Sequence, residues 1–295
     1  MNEVWRHLRC PVCAAPLTPG QGSLGCPHGH RFDLARQGYV NLLTGRVPAG
    51  AETPAMVADR AAMLDAGHFA FLAAALAAAA GDATGAEPGL VVDVGAGTGY
   101  YLAAVLDRLP GHAGIGLDVA KAACRRAARA HHRAAAAVCD VWRGLPLADR
   151  CAALILDVFA PRNGAEFHRV LRPDGALLVV TPEPDHLAGL VEALGLVRVD
   201  PAKDRRLAAS LSDWFLVDHE HTHRHPLVLN HMDVAHLVGM GPSAWHLEPA
   251  ELARRIARLP DRVEVPASVR LRRFRVRWTD RLPPSPSAVP DTARA

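Results

Sequence analysis

The stretch that most constrains the fold is Leu90–Tyr101, which reads LVVDVGAGTGYY. Its first five residues have the character of a short buried strand, and they lead into three alternating glycines, Gly95, Gly97 and Gly99. A strand that opens through a glycine turn into a helix is the nucleotide-binding element of doubly wound α/β folds. The glycines let a ligand approach the backbone, and the helix N-terminus directs free N–H groups toward it. The sequence therefore predicts an α/β fold with a ligand at this turn.

The spacing of the glycine turn indicates which ligand it holds. Dinucleotide sites use G-x-G-x-x-G, whereas this turn is D-x-G-x-G-x-G, the form associated with S-adenosylmethionine (SAM) enzymes. The Asp93 carboxylate would lie near the ammonium of a methionine moiety and would repel a diphosphate. We predict SAM as the cofactor, with Asp93, Gly95, Gly97, Thr98 and Gly99 around it. A purely structural turn is the alternative for the glycines alone.

Two further strands end in acids that suit an adenosine. The strand at 114–119 carries Asp118, whose carboxylate would accept hydrogen bonds from the ribose hydroxyls. Capping of the following helix is compatible with that role. The strand at 134–140 ends in Asp140, where the adenine amino group is expected.

The N-terminal segment has the cysteine pattern of a metal site. CPVC is followed, twelve residues later, by CPHGH, which gives Cys10, Cys13, Cys26 and His30 as a closed tetrahedral set for structural zinc. His28 is the competing fourth ligand, and free thiols in a loop are the alternative to a metal. A segment this short needs a bound metal ion, or a similar cross-link, to fold.

Several further motifs accompany the cysteine pattern and the glycine turn. RFD and GYVNLL follow the cysteines, and later motifs are DAGHF (65–69), VFAPRN (158–163), TPEPDH (181–186) and MGPSAWH (240–246). Together they resemble the 23S rRNA guanine-N1 methyltransferases of the RlmA type over about residues 8–278. The FAPRN and MGPSAWH motifs resemble the Gram-positive branch, which includes the tylosin-resistance methyltransferase.

This resemblance implies a Rossmann-type class I SAM-dependent methyltransferase domain with an N-terminal zinc-ribbon-like domain that grips a 23S rRNA hairpin. The implied target is N1 of guanine 748 in a domain II hairpin near the peptide exit tunnel, with guanine 745 of the same hairpin as the alternative. Tylosin-type macrolide resistance is left open. A small-molecule methyltransferase with a zinc-binding cap, or a non-catalytic RNA-binding module, would be a different class of function.

The resemblance also adds two cofactor contacts. The aromatic at the Phe69 position contacts the cofactor in the family, where tyrosine is common, so only stacking or packing remains here. His186 matches a cofactor-contacting histidine. From the residues alone, Phe69 would be a core contact and His186 a surface residue.

The edge that faces the transferred methyl group is expected after the strand at 152–159. The amine-directed D/N-P-P-Y/F element is absent there, and Phe159 and Pro161 are expected to face the methyl. Guanine N1 carries a proton that must leave. Asp157 is the nearest candidate base, and a buried strand acid is its alternative reading. The catalytic residue is otherwise unknown.

Late segments supply the candidate substrate contacts. Trp245 and His246 lie in a tight turn that would stack an extruded base, or would form a packing corner. Arg273 and Arg275, on the final strand at 269–278, would suit RNA phosphates, or would belong to a charged edge strand. The change of apolar parity across Arg272–Arg273 predicts a β-bulge there.

The alternating histidines from His219 to His225 would share one face of a strand. A second metal site is conceivable, but a solvated strand face is favoured.

The domain boundaries follow from these motifs and from composition. Gly67 should divide the lead-in into two helices. A net charge of +3 is too small to indicate nucleic acid by itself, and the sequence has no signal segment or membrane-like run, which predicts a cytoplasmic protein without membrane contact. A homodimer is left open. The predicted units are a zinc-binding domain (1–48), a linker with lead-in helices (49–89), the methyltransferase domain (90–280) and a disordered tail (281–295).

Overall fold

The N-terminal part of the protein is a small antiparallel sheet. The structure, a computed structural model, describes residues 2–85, 87–198 and 209–277. A short helix α1 (Asn2–Trp5) precedes the three strands of this sheet. They are β1 (Thr18–Pro19), β2 (Ser23–Gly25) and β3 (Arg31–Asp33). The next strand, β4 (Tyr39–Asn41), leaves the small sheet and joins a larger one.

The larger sheet has eight strands and forms the centre of the molecule. Its other members are β5 (Leu90–Val94), β6 (Ala113–Asp118), β7 (Ala134–Val138), β8 (Ala152–Val158), β9 (Leu171–Pro182), β10 (Phe215–Leu229) and β11 (Val263–Val276). They lie in the order β10-β11-β9-β8-β5-β6-β7-β4. β4 to β9 run parallel, β11 runs antiparallel to β9, and β10 runs antiparallel to β11. Every residue of β5 is buried, as expected for a central parallel strand covered on both faces.

Helices connect the strands and cover the sheet. Gly67, with φ +81°, separates the first two long helices, so the predicted break is confirmed. In the described residues no single helix has the length and apolar character to cross a membrane; α2 and α3 meet the criterion only as a pair bent by 82°. The helices after α1 are α2 (Pro54–Asp65), α3 (Ala70–Ala83), α4 (Tyr100–Arg108), α5 (Lys121–Ala130), α6 (Gly164–Val170), α7 (Ala188–Leu194), α8 (His231–Gly239) and α9 (Pro249–Ile256).

The sheet topology places a crevice at the end of β5. From β5 the chain proceeds through β6 and β7 on one side and returns to β8 and β9 on the other. In open parallel sheets, ligands bind beyond the carboxyl ends of the strands at such a switch point. Gly95, Asp118 and Phe159 all lie at this edge, because each closes or follows one of the three strands that meet there.

The small N-terminal sheet shares its core with the large one. Leu8, Leu17 and Leu24 are completely buried and belong to the same apolar cluster as Val92 and Ile115. β4 also pairs in parallel with β7, Val40 lying opposite Ala137. The residues before and after the predicted boundary at residue 48 therefore pack against each other in one apolar core.

The final strand differs from the sequence expectation. β11 pairs with β9 without interruption from Val269 to Arg275, so the predicted bulge across Arg272–Arg273 is wrong. The register shift lies instead in β10, between Val217 and His219. β11 is not an edge strand either, because β10 covers it.

The parity change in β11 has another cause. Leu271 packs with the helical cluster on one face of the sheet, and Phe274 packs with the cluster on the other face. The strand is thus buried on opposite faces in its two halves. The predicted tail, 281–295, lies outside the described residues.

Candidate active site and metal centre

The glycine turn fits closely against its neighbours. Gly95, Gly97 and Gly99 have φ of +68°, +53° and +80°, which side chains rarely allow. A Cβ atom on Gly95 would lie 2.5 Å from the Cβ of Ala160, and one on Gly99 would lie 2.8 Å from the Cα of Ala127. The backbone conformation and close packing of the turn therefore require glycine, and the ligand predicted for it stays a prediction.

We expect Gly99→Ala to destabilise the protein by about 2–5 kcal/mol, because the new methyl group meets backbone and the left-handed φ adds strain. Urea denaturation measures the effect. Gly85→Ala is the matched control, since no atom lies within 4 Å of its Cβ position and its φ is ordinary. Equal stability of the two variants would contradict the close packing of the turn.

Asp93 provides a buried acceptor at the crevice. Its side chain is 2% exposed, and its Oδ2 atom has no hydrogen-bond partner within the described part of the chain. Burial raises the pKa of Asp93 well above its usual value, and the nearby charges of Asp118 and Asp157 raise it further. A buried carboxylate oxygen without a donor, beside a glycine cradle, fits a ligand that carries an ammonium group.

Asp118 ties the glycine turn to the end of β6. Its Oδ2 accepts from the Gly97 N–H (2.9 Å) and its Oδ1 from the Ala120 N–H (2.8 Å). Burial raises the pKa of Asp118 despite these bonds. Thr98, half-buried, lies within the same turn. The carboxylate is thus held in a fixed position, and its contact with the ribose stays a prediction.

Asp140 is placed just beyond the end of β7. Its carboxylate accepts from the Trp142 N–H (3.0 Å) and thereby caps the short 3-10 helix Val141–Arg143. The Trp142 side chain is 65% exposed. The adenine contact predicted for Asp140 stays a prediction.

Phe159 forms an exposed ring at the end of β8. Its φ is +56°, a strained conformation for an aromatic residue, and its side chain is 41% exposed. The His186 ring lies 6.1 Å away, and the Ser268 N–H donates to Nδ1 of His186 at 3.1 Å. Burial lowers the pKa of His186 and so favours the neutral ring. Phe159 and His186 are therefore neighbours at the edge that is predicted to face the methyl group. Pro161 comes two residues after Phe159 in the chain.

Asp157 is a buried acid with a charged partner. Its side chain is fully buried, and Nε of Arg162 lies 3.0 Å from its Oδ1. The buried-acid reading fits this environment, and the role of proton acceptor stays a prediction. Phe69 is likewise a core residue, 2% exposed, with its ring 6.3 Å from that of Phe71. A cofactor contact by Phe69 stays a prediction.

The turn that carries Trp245 and His246 is connected to the rim of the crevice. Both side chains are exposed, and Trp245 ends the 3-10 helix Pro242–Trp245. At the start of the turn, the Met240 carbonyl accepts from Nη2 of Arg60 at 3.1 Å. Arg60 itself lies against Gly97. No sequence pattern singled out Arg60, because a single arginine on a helix usually faces solvent.

Arg273 and Arg275 have partners within the protein. Arg275 lies opposite Ala176, toward the amino end of β9, whereas the crevice lies beyond the carboxyl end. Nε of Arg273 is 2.6 Å from Oδ2 of Asp218, and Nη1 of Arg275 donates to the Ala83 carbonyl at the end of α3. These arginines have structural partners within the protein, and the contact with RNA phosphates stays a prediction.

The alternating histidines lie on β10, the edge strand. The rings of His221 and His223 are 4.6 Å apart, and the His225 ring stacks on Phe71 at 4.7 Å. In residues 2–85, 87–198 and 209–277, the only group at metal-binding distances is the N-terminal one. The solvated-face reading therefore agrees with the structure.

The N-terminal group consists of Cys10, Cys13, Cys26 and His30. Their ligand atoms all lie within 4.8 Å of one another. The Sγ of Cys26 is 3.3 Å from Nδ1 of His30 and 3.7 Å from the Sγ of Cys13. Three thiols and one imidazole at these distances suit a tetrahedral metal ion, with His30 rather than His28 as the fourth ligand.

Comparisons with known proteins agree with both halves of this site. A zinc-ribbon family model described as "RlmA, N-terminal" matches residues 8–46, and a model described as "Methyltransferase domain" matches residues 91–175. A protein of Micromonospora griseorubida, provisionally named a 23S rRNA (guanine-N(1)-)-methyltransferase, is 57% identical over 91% of this chain and 97% of its own length. The 23S rRNA (guanine(748)-N(1))-methyltransferase of Streptomyces fradiae is 54% identical over 91% of this chain and 96% of its own length.

Proposed function

The chain belongs to the family of 23S rRNA guanine-N1 methyltransferases, and we propose that it transfers a methyl group from SAM to N1 of guanine 748 in 23S rRNA. The observation that carries the choice of nucleotide is the 54% identity with the Streptomyces fradiae enzyme over nearly the full length of both chains. Guanine 745 of the same hairpin is the alternative. The reaction would take place in the cytoplasm, where the ribosome is assembled, and tylosin-type resistance would follow from the modification.

The crevice residues have distinct roles in this proposal. Asp93 holds the ammonium of the cofactor, Asp118 accepts from the ribose hydroxyls, and Asp140 meets the adenine. SAM, when bound, supplies a methyl group on a sulfonium, which is a strong electrophile. The protein must therefore mainly hold guanine N1 in line with that methyl group. Phe159, exposed at the edge of the crevice, stacks on the base and fixes its plane, and Trp245 and His246 hold it from the rim.

The N-terminal module has a separate role. Cys10, Cys13, Cys26 and His30 hold zinc with all four positions filled by protein, so the metal has no open position for chemistry. Its role is to shape the module, which grips the hairpin of the RNA and presents the guanine to the crevice.

Primer extension on 23S rRNA tests the proposed target, because an N1 methyl group blocks base pairing and stops reverse transcriptase. RNA lacking the modification is incubated with the protein and SAM. We expect a new stop at guanine 748. A stop at guanine 745 selects the alternative nucleotide, and the absence of any stop, with methyl transfer to a small molecule instead, refutes the RNA substrate.

Phe159→Ala is expected to lower kcat/KM for RNA by about 10- to 100-fold, because base stacking on an aromatic ring contributes about 1–3 kcal/mol. Binding of S-adenosylhomocysteine (SAH) should stay within about twofold, since the ring faces the base. Phe159→Tyr keeps the ring and should retain most activity. An equal loss of kcat/KM in both variants would contradict stacking, because tyrosine keeps the ring. It would indicate that the strained backbone at this position requires phenylalanine itself.

A further inference from the structure

Arg60 lies directly over the glycine turn. If Gly97 had a Cβ atom, the Cδ and Nε of Arg60 would lie 3.2 and 3.6 Å from it. Arg60 projects from α2, which is fixed to α8 by the pair Asp59–His236 (2.9 Å). The side chain is therefore held against the glycine turn where the cofactor is predicted to bind.

Arg60 has two partners, and one of them, Glu52, is a carboxylate that a ligand carboxylate could replace. It forms an ion pair with Glu52, a residue of the linker before α2, and the two side chains are 25% and 28% exposed. Its Nη2 also donates to the Met240 carbonyl. A partly exposed pair contributes little to stability, so exchanging Glu52 for another carboxylate costs little.

The charges around the crevice show what Arg60 is suited to bind. Three acids, Asp93, Asp118 and Asp157, lie at the ends of adjacent strands, and Arg162 is committed to Asp157. The amino-acid part of SAM carries a carboxylate as well as an ammonium. That carboxylate requires a cation in an environment that is otherwise acidic.

We propose that Arg60 binds the α-carboxylate of SAM and that Glu52 occupies this position on Arg60 when no cofactor is bound. This inference rests on the proposed function. A planar guanidinium matches a carboxylate through two parallel hydrogen bonds, which a lysine does not reproduce. Because Arg60 also contacts Met240, the same side chain connects the bound cofactor to the turn that carries Trp245.

Calorimetry with two ligands tests the assignment. SAH keeps the carboxylate, and decarboxylated SAH lacks only that group. We expect Arg60→Met to weaken SAH binding by about 10- to 100-fold and to leave binding of decarboxylated SAH within about twofold. Arg60→Lys should give an intermediate loss for SAH. Arg126→Met, an exposed arginine on α5, should change neither affinity.

Glu52→Gln provides an independent arm of the test, because a competing carboxylate is removed and SAH should bind more tightly, by about two- to tenfold. The proposal is overturned if Arg60→Met weakens both ligands equally, which is the result of a purely structural role, or if it weakens neither. If the unaltered protein binds neither ligand, the proposed function fails first.

Discussion

Replacing Asp93 with asparagine is expected to weaken SAH binding by about 100-fold or more and, at the same time, to make the ligand-free protein more stable. The binding loss follows because the asparagine cannot neutralise an ammonium, and the removal of one partner from a buried charged pair is costly. The gain in stability follows because Asp93 is buried without a hydrogen bond to Oδ2 and has a raised pKa. Sites built for function often carry such a cost.

The gain in stability expected for Asp93→Asn should depend on pH in a defined direction. A carboxyl whose pKa is raised in the folded state holds its proton more tightly there than in the unfolded chain. Its contribution to stability is therefore present at low pH and lost as pH rises above the ordinary value of 3.8 toward the raised value. The Tm of Asp93→Asn should exceed that of the unaltered protein at pH 7, and the difference should shrink on acidification.

Thermal unfolding between pH 4 and pH 8, together with calorimetry, measures both effects. Asp149→Asn is the matched control, because that side chain is 75% exposed and pairs with Arg169 at the surface. It should leave SAH affinity and Tm nearly unchanged. A lower Tm for Asp93→Asn, or unchanged SAH affinity, would contradict the role assigned to Asp93.

Loss of the metal is expected to have the largest effect on stability. Cys26→Ser, or removal of the metal by a chelator, should lower the free energy of unfolding by several kcal/mol, since zinc binding in small domains is itself folding free energy. For a chain of this size that corresponds to a fall in Tm of about 10 °C or more. The change should extend beyond the N-terminal module, because Leu8, Leu17 and Leu24 belong to the core of the large sheet.

Metal content by elemental analysis and Tm by calorimetry test this prediction together. His28→Ala is the control: it removes the competing histidine, which is exposed and not part of the four-residue group. It should retain one zinc ion per chain and an unchanged Tm. A Cys26→Ser protein that loses zinc without a fall in Tm would show that the metal is not structural.

The sequence predicted the features that short stretches encode. The buried strand of β5, the glycine turn and the position of Asp118 follow from residues that are close together in the chain. The metal group was found because its spacing is that of a zinc ribbon. The break at Gly67 was found because glycine interrupts a helical pattern there.

Features that depend on long-range pairing were not accessible in the same way. Sequence alone could not identify the partners of Arg273 and Arg275, because Asp218 lies on β10 and Ala83 ends α3, both distant in the chain. The bulge was assigned to β11 because a change of parity has two possible causes, and the second, burial on opposite faces, depends on both neighbouring layers. Arg60 acquires its position through α2 and the turn at Met240, which are distant in sequence.

The addition of β4 to the large sheet has a mechanical consequence. The strand that follows the metal-binding module pairs with β7, and the module shares its core with the large sheet, so the two parts pack as one body. If the N-terminal module binds the stem of the hairpin, the crevice reaches a nucleotide at a constant distance from that stem. Neighbouring guanines would then be told apart by their separation from the stem, without any contact that reads the adjacent bases.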